Sequence, residues 1–232
     1  MTAILSNLQA VRRAVTEAAT AAGRPLGAVH LLAVSKTFSA AAVREAYQAG
    51  QTAFGENYLQ EALDKIGALH DLPLEWHFIG PIQSNKTRPV AEHFAWVHGV
   101  DRLKIAERLS AQRPAAMPPL NICLQVNVSG EASKSGVAPE AVLQLAMDVA
   151  RLPRLKLRGL MAIPAPTDDP ARQRAPFVQM RELLETMNAQ GMRLDTLSMG
   201  MSHDFAVAIQ EGATIVRIGT AIFGARNYGA EQ

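Results

Sequence analysis

Apolar residues recur at Ile4, Leu8, Val11, Val15, Ala18 and Ala22, a spacing that lays them along one face of a helix, and Gly23 is placed to end it. The period then changes. Short apolar runs bounded by turn residues read as buried strands near 29–35, 52–55, 76–79, 95–98, 121–128, 156–162, 195–199 and 214–218. Helical patterns fall between them, for example over 39–49, 57–69, 102–111, 139–151 and 171–190. Strands alternating with helices imply parallel pairing through crossover connections. Eight such units in 232 residues predict an α/β fold, a (β/α)8 TIM barrel with an extra N-terminal helix, as a single domain over residues 1–232. The competing arrangement is a doubly wound open sheet. Two Pro-rich stretches, 113–119 and 163–176, read as surface loops, because the alternation continues across them.

Composition narrows the chemistry. A formal charge of +2 gives no electrostatic case for nucleic acid or an anionic membrane as the main partner. Cys123 is the only cysteine, which excludes an intramolecular disulfide and a multi-cysteine zinc site; no metal is expected. Arg12, Arg13 and Glu17 interrupt the apolar N-terminus, so it does not read as a signal peptide. No stretch is long and apolar enough to span a bilayer, and the expected compartment is the cytoplasm. The phosphate loop of nucleotide hydrolases, the paired-histidine zinc motif, the serine-hydrolase elbow and the dinucleotide-binding glycine motif are all missing.

Lys36 follows the apolar run Leu31-Leu32-Ala33-Val34-Ser35, at the C-terminal end of the first strand, which in such a barrel faces the active-site mouth. Leu32, Val34 and Lys36 share one side of that strand. A lysine there can be desolvated into a nucleophile toward an aldehyde; the bland alternative is a strand-end lysine in solvent. Near the other end of the chain, Gly219 and Thr220 open a helix after the last strand, and Ser202 follows the seventh. Loops seven and eight are the usual phosphate site of these barrels, although two ordinary glycine turns explain the same residues. Arg217 should face the same side as Gly219 and needs an acceptor, either a pyridine nitrogen or a structural carboxylate. A guanidinium so placed leaves a ring nitrogen largely unprotonated and weakens the ring as an electron sink.

The blocks LLAVSK (31–36), FGENYLQEA (54–62), EWHFIGPIQSNK (75–86), VNVSGEASKSG (126–136), LRGLMAIPAP (157–166), LSMGMSHDF (197–205) and VRIGTAIFGAR (216–226) strongly resemble the pyridoxal phosphate homeostasis protein family, single-domain relatives of the alanine racemase barrel. The resemblance covers nearly the whole chain. It implies that pyridoxal 5′-phosphate (PLP) is held as a Schiff base on Lys36, that Ser202, Gly219 and Thr220 hold its phosphate, and that Arg217 meets its ring nitrogen. Asn57 is a candidate pocket residue, or alternatively a helix N-cap. His203 stands where similar sequences lead one to expect an acidic residue; it either adds positive charge near the phosphate or is a solvated loop residue.

Alanine racemases, the comparison implies, add a C-terminal domain that supplies a tyrosine from the partner subunit, and this chain ends at Gln232 with no room for it. Two-base racemisation needs a proton donor on each face of the cofactor. The expectation is therefore a PLP carrier with no catalytic residue, buffering the cofactor or delivering it to PLP-dependent apo-enzymes, with nothing demanding more than a monomer. The alternatives are a PLP-dependent amino-acid racemase of modest activity and a Schiff-base aldolase on a phosphorylated sugar. Lys134, in the Gly130–Gly136 loop, is a candidate secondary lysine for the aldehyde, or a plain surface lysine. The cluster of His77, Gln83, Ser84, Asn85 and Lys86 reads as a pocket rim, a partner surface or a polar loop anchor.

Overall fold

The computed structural model describes residues 2–130 and 135–225 of the chain. Helix α1 (Ala3–Ala21) buries Leu8, Val11, Val15 and Ala19, the i, i+3, i+4 stripe of the sequence pattern. The alternation then runs β1 (His30–Val34), α2 (Ala40–Gln48), β2 (Ala53–Glu56), α3 (Leu59–Ala68), β3 (Glu75–Phe78), α4 (Thr87–His93), β4 (Trp96–Val100) and α5 (Leu103–Gln112). It continues with β5 (Leu120–Gln125), α6 (Val142–Ala150), β6 (Leu155–Met161), α7 (Pro170–Ala189), β7 (Thr196–Ser198), α8 (Phe205–Gln210), β8 (Ile215–Ile218) and α9 (Thr220–Phe223).

Each strand pairs in parallel with the next, and β8 closes on β1 in the register His30↔Ile215 through Ala33↔Ile218. The barrel is closed, so the open-sheet alternative falls away. Strand alternation sorts the core into two layers. Leu32, Val34, Ile79, Trp96, Cys123, Met161 and Ile215 pack together inside the barrel. Residues of the opposite parity, such as Ala33, Phe54, Ile122 and Val216, face the surrounding helices. Helix α1 lies outside the ring and packs on α2, α8 and α9, covering the seam where β8 meets β1.

Two readings of the sequence need correction. The fifth strand ends at Gln125 rather than 128: Val126 still donates to the Met161 carbonyl of β6, but from there the chain pairs with Val137 instead. The Pro-rich stretch 163–176 is a loop only to residue 169. Asp169 caps α7 by accepting from Ala171 and Arg172 N–H, and Pro170 occupies the first turn, where its missing N–H costs nothing. Pro176 sits inside the helix, which is held to the barrel by buried Phe177, Met180 and Met187. Residues 113–119 lie outside helix and strand, as expected. No helix among the described residues is long and apolar enough to cross a membrane.

Candidate functional site

Leu32 and Val34 point into the barrel, and two residues further Lys36 emerges in the turn after β1. It lines a cleft of about 340 Å³ at the C-terminal end of the strands, together with Asn57, Ser202, Arg217, Gly219 and Thr220. Thus the structure brings six predicted residues, drawn from positions 36 to 220, to one concavity. Val34, Phe38, Ile79, Ile163 and Met201 supply its apolar wall. Among the described residues that line it there is no carboxylate and no tyrosine.

The backbone on both sides of Lys36 is fixed by a cluster that sequence reading missed. Lys65, on α3, is buried and donates from Nζ to the Ser35 carbonyl at 2.7 Å, to Glu56 Oε1 at 2.8 Å and to Glu61 Oε1 at 2.5 Å. The Ser35 hydroxyl donates to the same Glu56 oxygen at 2.6 Å. Glu61 Oε1 also accepts from the Thr37 N–H at 2.6 Å, and Thr37 takes a positive φ of 67°, uncommon for a residue with a branched side chain. Burial pushes the Glu56 carboxyl above its ordinary value, and the Lys65 charge and the hydrogen bonds from Lys65 and Ser35 pull the other way. A charged residue ending an apolar strand, Glu56, and the i,i+4 pair Glu61/Lys65 were the available signals.

Opposite the amine stand two loops. Gly200 adopts φ 94°, and a Cβ there would lie 2.7 Å from the Cβ of Ala208, so the turn into Ser202 admits only glycine. Asp204 accepts from the Met201 N–H at 2.6 Å and closes this turn. Gly219 meets the first strand as closely: a Cβ would sit 3.0 Å from the Val34 carbonyl oxygen. Its missing side chain therefore brings the β8 loop against β1, beside Lys36, in addition to opening backbone to a ligand. Thr220 begins α9, whose first N–H groups have no intrahelical partner.

Arg217 is buried in the floor, on the same side as Gly219. Nη1 donates to Ser198 Oγ at 2.9 Å and Nη2 to the Ala162 carbonyl at 2.8 Å. Among the described residues no carboxylate pairs with it, so the structural ion pair considered above is not formed. Burial lowers its pKa to about 10, which still leaves the guanidinium charged near neutrality. Behind it runs a second set of residues, of which the sequence had singled out only His77. Ser198 Oγ lies 2.8 Å from His98 Nδ1, His98 Nε2 lies 3.0 Å from His77 Nδ1, and His77 Nε2 lies 2.9 Å from Glu75 Oε1.

His77 thus belongs to the barrel interior and the opposite end, not to a cleft rim, whereas Gln83, Ser84, Asn85 and Lys86 form a short surface turn before α4. Asn57 does not cap α3: the cap position is Tyr58, and Asn57 Oδ1 is buried without a hydrogen-bond partner at the edge of the cleft. His203 lines the cleft from an exposed turn. Lys134 lies outside the described residues.

The donor set fits a phosphorylated aromatic aldehyde: an amine for the carbonyl, a buried guanidinium for a ring nitrogen, and hydroxyls with unbonded N–H groups across the mouth for an anion. Comparison with known proteins agrees with that chemistry. The family model for the alanine racemase N-terminal domain matches residues 6–227. A protein of Pseudomonas aeruginosa named pyridoxal phosphate homeostasis protein is 67% identical over 230 residues, covering 99% of each chain. One of the same name from Escherichia coli is 54% identical over 231 residues, covering 98% of this chain and 99% of the other. The structure of PipY from Synechococcus elongatus with PLP bound superposes with a TM-score of 0.83 at 40% identity, over 95% of this chain and all of the other. Alanine racemase from Corynebacterium glutamicum, at 18% identity and a TM-score of 0.74, shares the fold over 99% of this chain and 63% of its own.

Proposed function

This chain belongs to the alanine racemase N-terminal domain family, and on that premise we propose that it is a pyridoxal 5′-phosphate-binding protein of intracellular PLP homeostasis that holds the cofactor through Lys36. The observation that carries the reading is the meeting of Lys36, Arg217, Ser202, Gly219 and Thr220 in one cleft of about 340 Å³. When bound, PLP supplies an aldehyde that condenses with an amine. The protein's own part is to present the Lys36 amine from a backbone clamped by Glu56, Lys65 and Glu61. Arg217 faces the ring nitrogen, the Ser202 and Gly219–Thr220 loops take the phosphate, and Asn57 closes the side.

The protein acts as a carrier that sequesters a reactive aldehyde and releases it to PLP-dependent apo-enzymes, as a monomeric single-domain protein of the cytoplasm. In support, close relatives over 98–99% of the chain bear the homeostasis name. The described lining of the cleft also offers neither carboxylate nor tyrosine as a second base for racemisation. The purified protein should absorb in the visible, borohydride should fix one cofactor to Lys36, and Lys36→Ala should lose the adduct entirely. A colourless protein that cannot be loaded with PLP would reject the reading, and sustained turnover of alanine would replace the carrier with an enzyme.

A further inference from the structure

The hydrogen-bonded series behind Arg217 runs the length of the barrel. It begins at the cleft floor with Arg217 on β8, passes through Ser198 on β7 and His98 on β4, and reaches His77 and Glu75 on β3 at the N-terminal end. Ser198 and His98 are fully buried and His77 nearly so, while the Glu75 side chain is half-exposed in a hollow on the far side of the barrel. We propose that Glu75, His77, His98 and Ser198 form a positioning relay whose hydrogens all point away from the cleft, locking Ser198 as the acceptor that orients Arg217. The proposal rests on the reading of Arg217 as the partner of the cofactor ring.

The direction follows from donor counting. Glu75, a carboxylate held below its ordinary pKa chiefly by His77, is an acceptor. His77 must therefore carry its hydrogen on Nε2, which leaves Nδ1 as an acceptor. His98 then donates from Nε2, and its Nδ1 accepts from the Ser198 hydroxyl. With its hydrogen committed to His98, Ser198 Oγ has only lone pairs to offer, and they receive the Arg217 N–H. Both rings must be neutral, because a cationic imidazole would present a second donor to an N–H or O–H already donating. Burial favours that state at both rings, holding His98 well below its ordinary pKa and His77 below it. The other titratable or charged groups facing the series are His30 near Glu75 and His77, and Cys123 and Asp204 near Arg217. Reversing the series would leave the Ser198 hydrogen buried without an acceptor, at a cost comparable to a broken internal hydrogen bond. A carboxylate at one pole of the barrel thus fixes the geometry of a guanidinium at the other.

Two measurements on the full-length protein test this. In long-range 1H–15N spectra, His77 and His98 of the wild type should each be the Nε2–H tautomer near neutral pH. In Glu75→Lys, where the side chain can only donate, His77 Nε2 must accept and at least one ring should show the Nδ1–H form. In PLP-loaded protein, Glu75→Lys and Ser198→Ala should displace the pH midpoint of the visible cofactor band by about half a unit or more, and Ser198→Thr, which keeps the hydroxyl, should restore it. An Nδ1–H tautomer at either ring of the wild type, or wild-type tautomers and an unmoved midpoint in Glu75→Lys, overturns the relay. Borohydride trapping on Lys36 is scored separately: a wild type that loads normally beside a variant with unchanged spectra rejects the relay alone. A wild type that never loads rejects the binding reading, and the tautomers still decide the relay.

Discussion

The two ends of the barrel are both concave, and the larger hollow is the one without the chemistry. At the N-terminal end a depression of about 790 Å³ is lined by charged groups that have hydrogen-bond partners within the protein. Arg158 binds Asp195 through Nε at 2.9 Å and lies over the Trp96 ring at 4.7 Å, and Arg12 donates to the Ala49 carbonyl and to Gln51. At the C-terminal end the cleft is less than half that volume. Its lining nevertheless holds an amine, a guanidinium, hydroxyls and an amide oxygen without a hydrogen-bond partner, with no carboxylate among its described residues. A lining of donors with no carboxylate among its described residues suits an anionic ligand, whereas Arg158, bridged to Asp195, holds the structure. The kind of groups in the lining, rather than the space, marks the site.

That contrast can be broken in graded ways. The largest effect belongs to the cluster beneath Lys36. Lys65→Met leaves Glu56 buried without its cation and should cost about 3–5 kcal/mol, read as a lower denaturant midpoint, with slower trapping of cofactor on Lys36. Glu56→Gln combined with Lys65→Met should recover much of the stability, and a single variant as stable as the wild type would show the cluster to be dispensable. Next comes acid. His77 and His98 are both held below the ordinary histidine value of 6.5 in the folded state, so the unfolded chain takes up protons first as pH falls. Stability should be level above that value and decline below it, by up to about 1.4 kcal/mol per pH unit for each histidine. Unfolding curves that stay flat down to pH 5, roughly a unit and a half below that value, would mean that the rings accept protons inside the barrel. The smallest effect is expected at the paired end. Asp195→Asn should cost no more than about 1 kcal/mol, since its bridge to Arg158 is partly exposed, and should leave cofactor loading as in the wild type. A loading defect there would erase the distinction between the two ends.

What could be read in advance followed from local rules. The strands were legible because apolar runs and turn residues lie next to each other in sequence, and Lys36, Arg217 and Gly219 were legible because strand parity and the strand-end rule assign a residue its side and its pole. The supporting residues were not, because their partners are remote: His98 meets Ser198 across 100 positions and Lys65 reaches Ser35 across 30. A histidine within an apolar strand gives no sign of which other strand will answer it. Asn57 was read as a choice between cap and cleft, and only the path of the chain into Tyr58 decided between them. Residues 171–176 were read both as the end of a Pro-rich loop and as the start of a helix over 171–190; the helix holds, because the buried face of α7 prevails over the local objection of Pro176.

The close approach of Gly219 to Val34 places the cleft astride the join between the first and last strands. A molecule gripped by Lys36 on one side and by the Gly219–Thr220 turn on the other would rivet the two ends of the polypeptide together. Only a chain synthesised through β8 and fully wrapped has both halves of the grip, so capture of the ligand doubles as an inspection of completed assembly. Occupancy should then harden the closing seam more than any other part of the ring.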